Sequence, residues 1–204
     1  GGLKKLIPVT YITFLLAALA ISGFPLLSGF FSKDEILAHA FEQNPLIWTI
    51  LFISSLLTAF YMFRLVYLTF FNDFRGTEET KRHIHESPWT MTLPLIILCV
   101  LAVAGGVIGL PVVFHVNHML GTYLSSVTEP SAALLHHGEK LSHSMEIGLM
   151  SFAGLAAILV ILYAYRKYVT GKAMPEEDNV LTGLPKLISN KFYVDEIYES
   201  QITK

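Results

Sequence analysis

Lys33, Asp34 and Glu35 are the first charges after an uncharged run from Leu6 to Ser32, inside the segment Gly29-Phe30-Phe31-Ser32-Lys33-Asp34-Glu35-Ile36-Leu37. A charge at bilayer depth costs about 2.5–3.5 kcal/mol even on lenient insertion scales, so an ionisable residue kept there has a task. At membrane depth the cluster would be part of a proton or ion path; at the water boundary it would be an ordinary solvated group. Desolvation favours the neutral amine and a nearby carboxylate favours the ammonium, so Lys33 could load and release a proton as its surroundings rearrange. Asp34 lies about 100° further round a helix, off the Lys33 face, and could accept the released proton. His39 and Glu42 follow on the same stretch. Either could relay protons, although a packed or interfacial histidine and a solvated glutamate are the plainer readings. Glu35 reads as a local charge partner.

Arg64 interrupts a second apolar run late in its course. It carries a fixed charge and cannot be a proton carrier, but it could tune a neighbour's pKa; the plainer readings are that it snorkels to the headgroups or forms a structural ion pair. Ser28, Ser32 and Thr58 could hold water beside Lys33, or simply back-bond to their own helices. The histidines other than His39 fall in two groups, His83 and His85, then His115, His118, His136, His137 and His143. Their spacings match no structural zinc pattern and no cysteine joins them, so they read as solvated loop residues. Cys99, the single cysteine, reads as a buried thiol. No nucleotide-binding loop, catalytic triad or iron–sulfur pattern is found.

The elements that position these groups are membrane helices. Apolar residues make up 53% of the chain and charged residues 15%, with a mean hydropathy of +0.55. Soluble domains run near a quarter charged. A net charge of −2 shows no nucleic-acid signature. The expected organisation is all-α and polytopic. A first region over residues 1–43 is followed by a transmembrane helix over 44–71 and a loop over 72–91. Further transmembrane helices are expected over 92–114 and 146–166, with an outer loop over 115–145 between them. Backbone groups in lipid must satisfy one another, which selects helices, and no strand-like alternation points to a barrel. Lys4, Lys5, Arg75, Lys81, Arg82, Arg166, Lys167, Lys172, Lys186, Lys191 and Lys204 fall on one side of four crossings, against Lys140 on the other. The first side is therefore expected to be cytoplasmic, and with it both ends of the chain. The remainder, 167–204, reads as a linker around Pro175-Glu176-Glu177-Asp178-Asn179. An amphipathic interfacial helix is expected to start after it, carrying Leu181, Leu184, Leu187 and Ile188, then Phe192, Val194, Ile197 and Tyr198.

The first region is too long for one straight crossing and contains Gly23, Pro25 and Gly29. Proline removes a backbone donor, and glycine tolerates dihedrals that other residues avoid. Two geometries follow. Either residues 8–28 span the membrane and Lys33 sits in a wet segment, or the helix breaks near Pro25 into half-helices over about 8–24 and 30–43. In the second case Lys33 lies about 15 Å from the far end at 1.5 Å per residue, and the short link Gln43-Asn44-Pro45 turns the chain into the next helix.

The segments Pro8-Val9-Thr10-Tyr11-Ile12-Thr13-Phe14-Leu15, residues 20–37, residues 57–64 and Phe192-Tyr193-Val194-Asp195-Glu196-Ile197-Tyr198 together resemble the antiporter-like subunits, subunit L in particular, of the proton-pumping NADH:quinone oxidoreductase, respiratory complex I. The resemblance is specific over the first seventy residues and looser beyond them, and it implies a C-terminal fragment of such a subunit. It further implies one discontinuous transmembrane helix broken at Pro25, a channel lysine at Lys33 and an exit-side carboxylate at Asp34. Residues 192–198 would open a lateral helix. The implied setting is a bacterial inner membrane, with neighbouring antiporter-like subunits as partners. NADH, flavin, iron–sulfur clusters and quinone would belong to the complex, with no cofactor on this segment. A multi-subunit sodium/proton antiporter, a membrane hydrogenase-type subunit and a non-conducting structural subunit are the competing expectations.

Overall fold

The computed structural model describes residues 1–107, 123–125, 127, 141–173 and 182–202. Regular structure among them is helical, with no strand. The helices are α1 (Pro8–Ile21), α2 (Ser28–Gln43), α3 (Pro45–Phe70), α4 (Glu78–His83), α5 (Trp89–Ala104), α6 (His143–Tyr165), α7 (Leu184–Ser189) and α8 (Val194–Ile202). The short turn Gly105–Val107 extends α5, and a π-turn over Arg166–Thr170 extends α6. By length and composition Pro45–Phe70 and His143–Thr170 are each sufficient to cross a bilayer, whereas α1 and the described part of α5 are shorter apolar helices. The expected span over 92–114 begins three residues early, at Trp89. Residues 108–114, most of the expected outer loop with His115, His118, His136, His137 and Lys140, and the linker at Pro175 lie outside the described residues.

Helix starts follow the local chemistry. Pro8 and Pro45 occupy first-turn positions, where a missing N–H costs nothing. Asn44 ends α2 and caps α3, its Oδ1 accepting the Leu46 N–H at 2.8 Å. Two antiparallel helices thus meet at one residue.

The chain divides into two compact units, Gly1–Lys172 and Ala173–Lys204. In the first, α3 packs against α1, α2 and α6, α1 against α5, and α2 against α6. Ala18, Ala59 and Ala164 are fully buried where helices cross, the small-residue packing that lets backbones approach in lipid. At one end of this unit the chain start meets the end of α3, the Gly2 N–H donating to Phe71 O at 2.8 Å. The Asn72 side chain there donates to Tyr168 O at 2.9 Å. Lys4 sits 5.2 Å above the rings of both Tyr11 and Phe71. At the opposite end lie the α2–α3 turn and the start of α6, joined by the Leu141 N–H donating to Glu42 Oε1 at 3.1 Å. The two long helices α3 and α6 therefore run in the same direction, opposite to the path of α1 and α2. Large apolar side chains such as Leu46, Ile50, Leu57, Leu98, Leu155 and Leu159 remain exposed on the outer faces.

Glu86, in the segment between α4 and α5, closes the first end. Its carboxylate accepts the Val9 N–H at 2.7 Å and the Thr10 hydroxyl at 2.6 Å, capping a helix 76 residues away in sequence. Burial pushes its pKa up, but the Thr10 hydroxyl and the N–H groups of Val9, Thr10 and Ser87 outweigh that and hold the carboxyl below its ordinary value.

In the second unit, α7 and α8 are not one continuous helix. Lys191, Phe192 and Tyr193 all take positive φ between them, a conformation that side chains resist, so the expected amphipathic stripe is divided there, and α8 opens at Val194, within the segment 192–198 expected to open a lateral helix. Lys191 Nζ pairs with Asp195 at 2.7 Å.

Candidate functional site

The break between α1 and α2 follows from its residues. Ser22 closes α1 in helical geometry, its N–H donating to Ala18 O. Gly23 then adopts φ +75°, which only glycine accepts without penalty. Leu26 also takes a positive φ, 73°, with its side chain exposed; no sequence signal announces it. Pro25 lies inside this connection, so α1 stops at Ile21 rather than continuing to residue 24.

Gly29 serves a purpose other than the one expected of it. It is helical, in the first turn of α2, and a Cβ there would collide with the Ala20 carbonyl oxygen. Its missing side chain lets α2 start against the end of α1. Two further glycines hold the same segment. A Cβ on Gly106 would sit 2.9 Å from the Phe31 ring, and one on Gly154 would sit 3.1 Å from the Phe30 ring and 3.3 Å from Pro25 Cγ. The interrupted region is clasped from α1, the end of α5 and α6 by absent side chains.

Lys33 emerges from this clasp half-buried. Helical side chains lean toward the N-terminus, and its stem runs back over the break, with Cδ 3.4 Å from where a Gly23 Cβ would be. Its Nζ donates to Ser55 Oγ on α3 at 3.3 Å. Lys33 lies ten residues before the end of α2, and Ser55 ten residues after the start of α3. Both therefore stand about 15 Å from the turn. Asp34 is 5% exposed and makes no ion pair with Lys33; its charged neighbours are Glu146 on α6 and Glu35. Lys33 lines two cavities, which share Leu37 and Ser55. One, of about 20 Å³, is lined by Ser22, Gly23, Lys33, Asp34 and Ser55 among others. The other, of about 160 Å³, is lined by Ile36, Leu51, Ser54, Ser55 and Thr58 with Lys33.

Other expected residues fall elsewhere. Ser32 donates to Ser28 O at 3.1 Å and Thr58 to Ser54 O at 2.9 Å, so these hydroxyls back-bond to their helices. His39 is 72% exposed at the side chain and is not packed; its Nδ1 lies 3.1 Å from Glu42 Oε2. Glu42, at 19% exposure, is not a solvated end but a joint between α2, His39 and Leu141. Arg64 is exposed, its guanidinium 6.0 Å above the Tyr168 ring. His83, His85 and His143 are exposed, and among the described residues no group of three metal-ligating side chains assembles. Cys99 is half-exposed rather than buried.

Ser55, Ser22 and Glu146 were missed. For Ser55 a signal existed: it mirrors Lys33 across the two-helix turn. A half-buried amine that lines two cavities, with a buried carboxylate next to it in sequence and a hydroxyl acceptor opposite, has the groups needed to take up and release a proton.

Comparison with known proteins bears on this arrangement. Residues 1–60 match the family described as NADH:quinone oxidoreductase/Mrp antiporter, TM. The chain is 38% identical over 220 residues to NAD(P)H-quinone oxidoreductase subunit 5, organellar chromatophore 1, of Paulinella chromatophora, covering 98% of this chain and 32% of that protein. It is 36% identical over 221 residues to NAD(P)H-quinone oxidoreductase chain 5 of Picosynechococcus sp., again 98% of this chain and 32% of the relative. Against NADH-quinone oxidoreductase subunit L of Rickettsia bellii it is 32% identical over 217 residues, with 100% and 32% covered. The chain spans about a third of the length of these relatives. Together the matches support a membrane subunit of the complex I antiporter-like kind.

Proposed function

We propose that this chain is part of antiporter subunit L of a complex I-type NADH:quinone oxidoreductase and conducts protons through Lys33 while electron transfer proceeds in partner subunits. The observation that carries this is the depth of Lys33. Its hydrogen bond to Ser55 ties it to a point about 15 Å along a helix of 26 residues, near the middle of about 30 Å of hydrocarbon. At 14 and 16 residues, α1 and α2 reach only about 21 and 24 Å. Neither crosses a bilayer alone, and we read them as the two halves of one interrupted crossing. Irregular backbone at membrane depth is tolerated where protein or a hydrated cavity covers it, and such breaks are where transporters place ion sites.

In this reading protons reach Lys33 from the end that carries Lys4, Lys5, Arg75, Arg166 and Lys167, taken as cytoplasmic. They leave through Asp34 toward the end marked by Glu42. The setting is a bacterial inner membrane, with neighbouring antiporter-like subunits covering the exposed apolar faces alongside lipid. NADH, flavin, iron–sulfur clusters and quinone belong to the partner subunits. The test is Lys33→Met in the full complex in sealed vesicles. Protons moved per NADH should fall while NADH oxidation in uncoupled vesicles is retained. Unchanged pumping would remove the conducting role, and sodium-dependent antiport without NADH would favour the sodium/proton antiporter reading.

A further inference from the structure

Ser22 is fully buried, and its Oγ has no hydrogen-bond partner among the described residues. A buried hydroxyl left unpaired is costly, and most such groups in folded proteins are satisfied by protein or ordered water. Ser22 lines the cavity of about 20 Å³ that Lys33, Asp34 and Ser55 also line. A polar cavity holds a water once it offers about 10–15 Å³ and two to four polar partners. This one has room for a single molecule and, among apolar walls that include Phe30 and Leu37, offers two hydroxyls, an amine and a carboxylate.

We infer that Ser22 is a positioning residue that holds one water between Lys33 and Asp34 at the helix break. The inference rests on the proton-conducting reading of Lys33. Being adjacent in sequence, the two side chains leave α2 about 100° apart, and they make no ion pair, so a proton passing between them needs a carrier. The water accepts a proton from the Lys33 ammonium: an N–H bond breaks and an O–H bond forms. In the same movement it gives one of its own protons to the Asp34 carboxylate. The amine and the acid end neutral, and the water is regenerated. Its remaining hydrogen stays directed at Ser22 Oγ, which fixes the orientation of the transfer. Ser55 holds the amine at the cavity from the other side.

The test uses the assembled complex. A high-resolution density map of the wild type should show a water within hydrogen-bond distance of Ser22 Oγ and facing Lys33, and Ser22→Ala should lack it with the break unchanged. In vesicles, Ser22→Ala should lose as much pumping per NADH as Lys33→Met, with uncoupled NADH oxidation intact, and Ser22→Thr should restore pumping by keeping the hydroxyl. No water beside Ser22 in the wild-type map overturns the proposal, whether or not the variant assembles. Normal pumping by Ser22→Ala alongside a defective Lys33→Met overturns the water site alone. Normal pumping by both overturns the functional reading of Lys33, and the map still decides the site.

Discussion

Gly29→Ala tests the packing on which the site depends. The added Cβ would collide with the Ala20 carbonyl oxygen and lie 2.8 Å from its carbon, where ordinary contact begins at 3.4 Å. Both atoms are backbone, so no side chain can swing aside. The α1–α2 junction would have to open by at least about 0.6 Å, in an interior packed too densely to absorb it. On its other sides α2 meets the positions of Gly106 and Gly154, where a Cβ would stand 2.9 and 3.1 Å from the Phe31 and Phe30 rings. Overpacking of this kind costs about 1–3 kcal/mol. The Lys33–Ser55 bond, already 3.3 Å long, lies near the limit at which a displacement of about half an ångström breaks it. The complex carrying Gly29→Ala should therefore unfold at lower temperature in detergent and pump fewer protons per NADH. Gly148→Ala is the internal control: a Cβ there meets nothing within 4 Å, so its melting midpoint should equal or slightly exceed the wild type's. If the two substitutions melt alike, the close approach of α1 and α2 is refuted.

Ser55→Ala removes the acceptor held by Lys33; hydrogen bonds to charged groups contribute about 1.5–3 kcal/mol, so coupled turnover should fall about tenfold or more, and an unchanged rate would show the bond to be incidental. Glu86→Gln should cost about 1 kcal/mol of stability at neutral pH. Because the Glu86 carboxyl titrates below its ordinary value of 4.5 in the folded state, its contribution is complete above that pH and is lost as pH falls further through the folded value. The gap in melting midpoint between variant and wild type should accordingly close on strong acidification, and a gap that persists there contradicts the cap. Glu42→Ala leaves the Leu141 N–H and His39 without this acceptor, so hydrogen exchange at the Leu141 amide should quicken about tenfold, consistent with the loss of one part-buried hydrogen bond; exchange at the wild-type rate would show that Glu42 does not join α2 to the start of α6.

Much of the helical layout was legible because uncharged runs longer than a bilayer is thick admit few alternatives. Lys33 stood out for the same reason: one charge in such a run is conspicuous. Ser22 and Ser55 were not, since hydroxyls in apolar helices are common and mostly bond backward, as Ser32 and Thr58 do. Gly29 drew attention for its freedom of φ, whereas its role is to be small against Ala20; sequence does not separate those two uses. Glu86 was invisible because its partners stand 76 and 77 residues away. The positive φ at Leu26 and at Lys191–Tyr193 has no compositional marker, because these residue types ordinarily take negative φ.

The single-residue joint at Asn44 has a mechanical corollary. Lys33 and Ser55 stand the same number of residues from that turn, one on α2 and the other on α3, so the two side chains meet at matching height. Inserting or deleting a residue on either arm would put them out of step by about 1.5 Å, and a contact of 3.3 Å has no such slack.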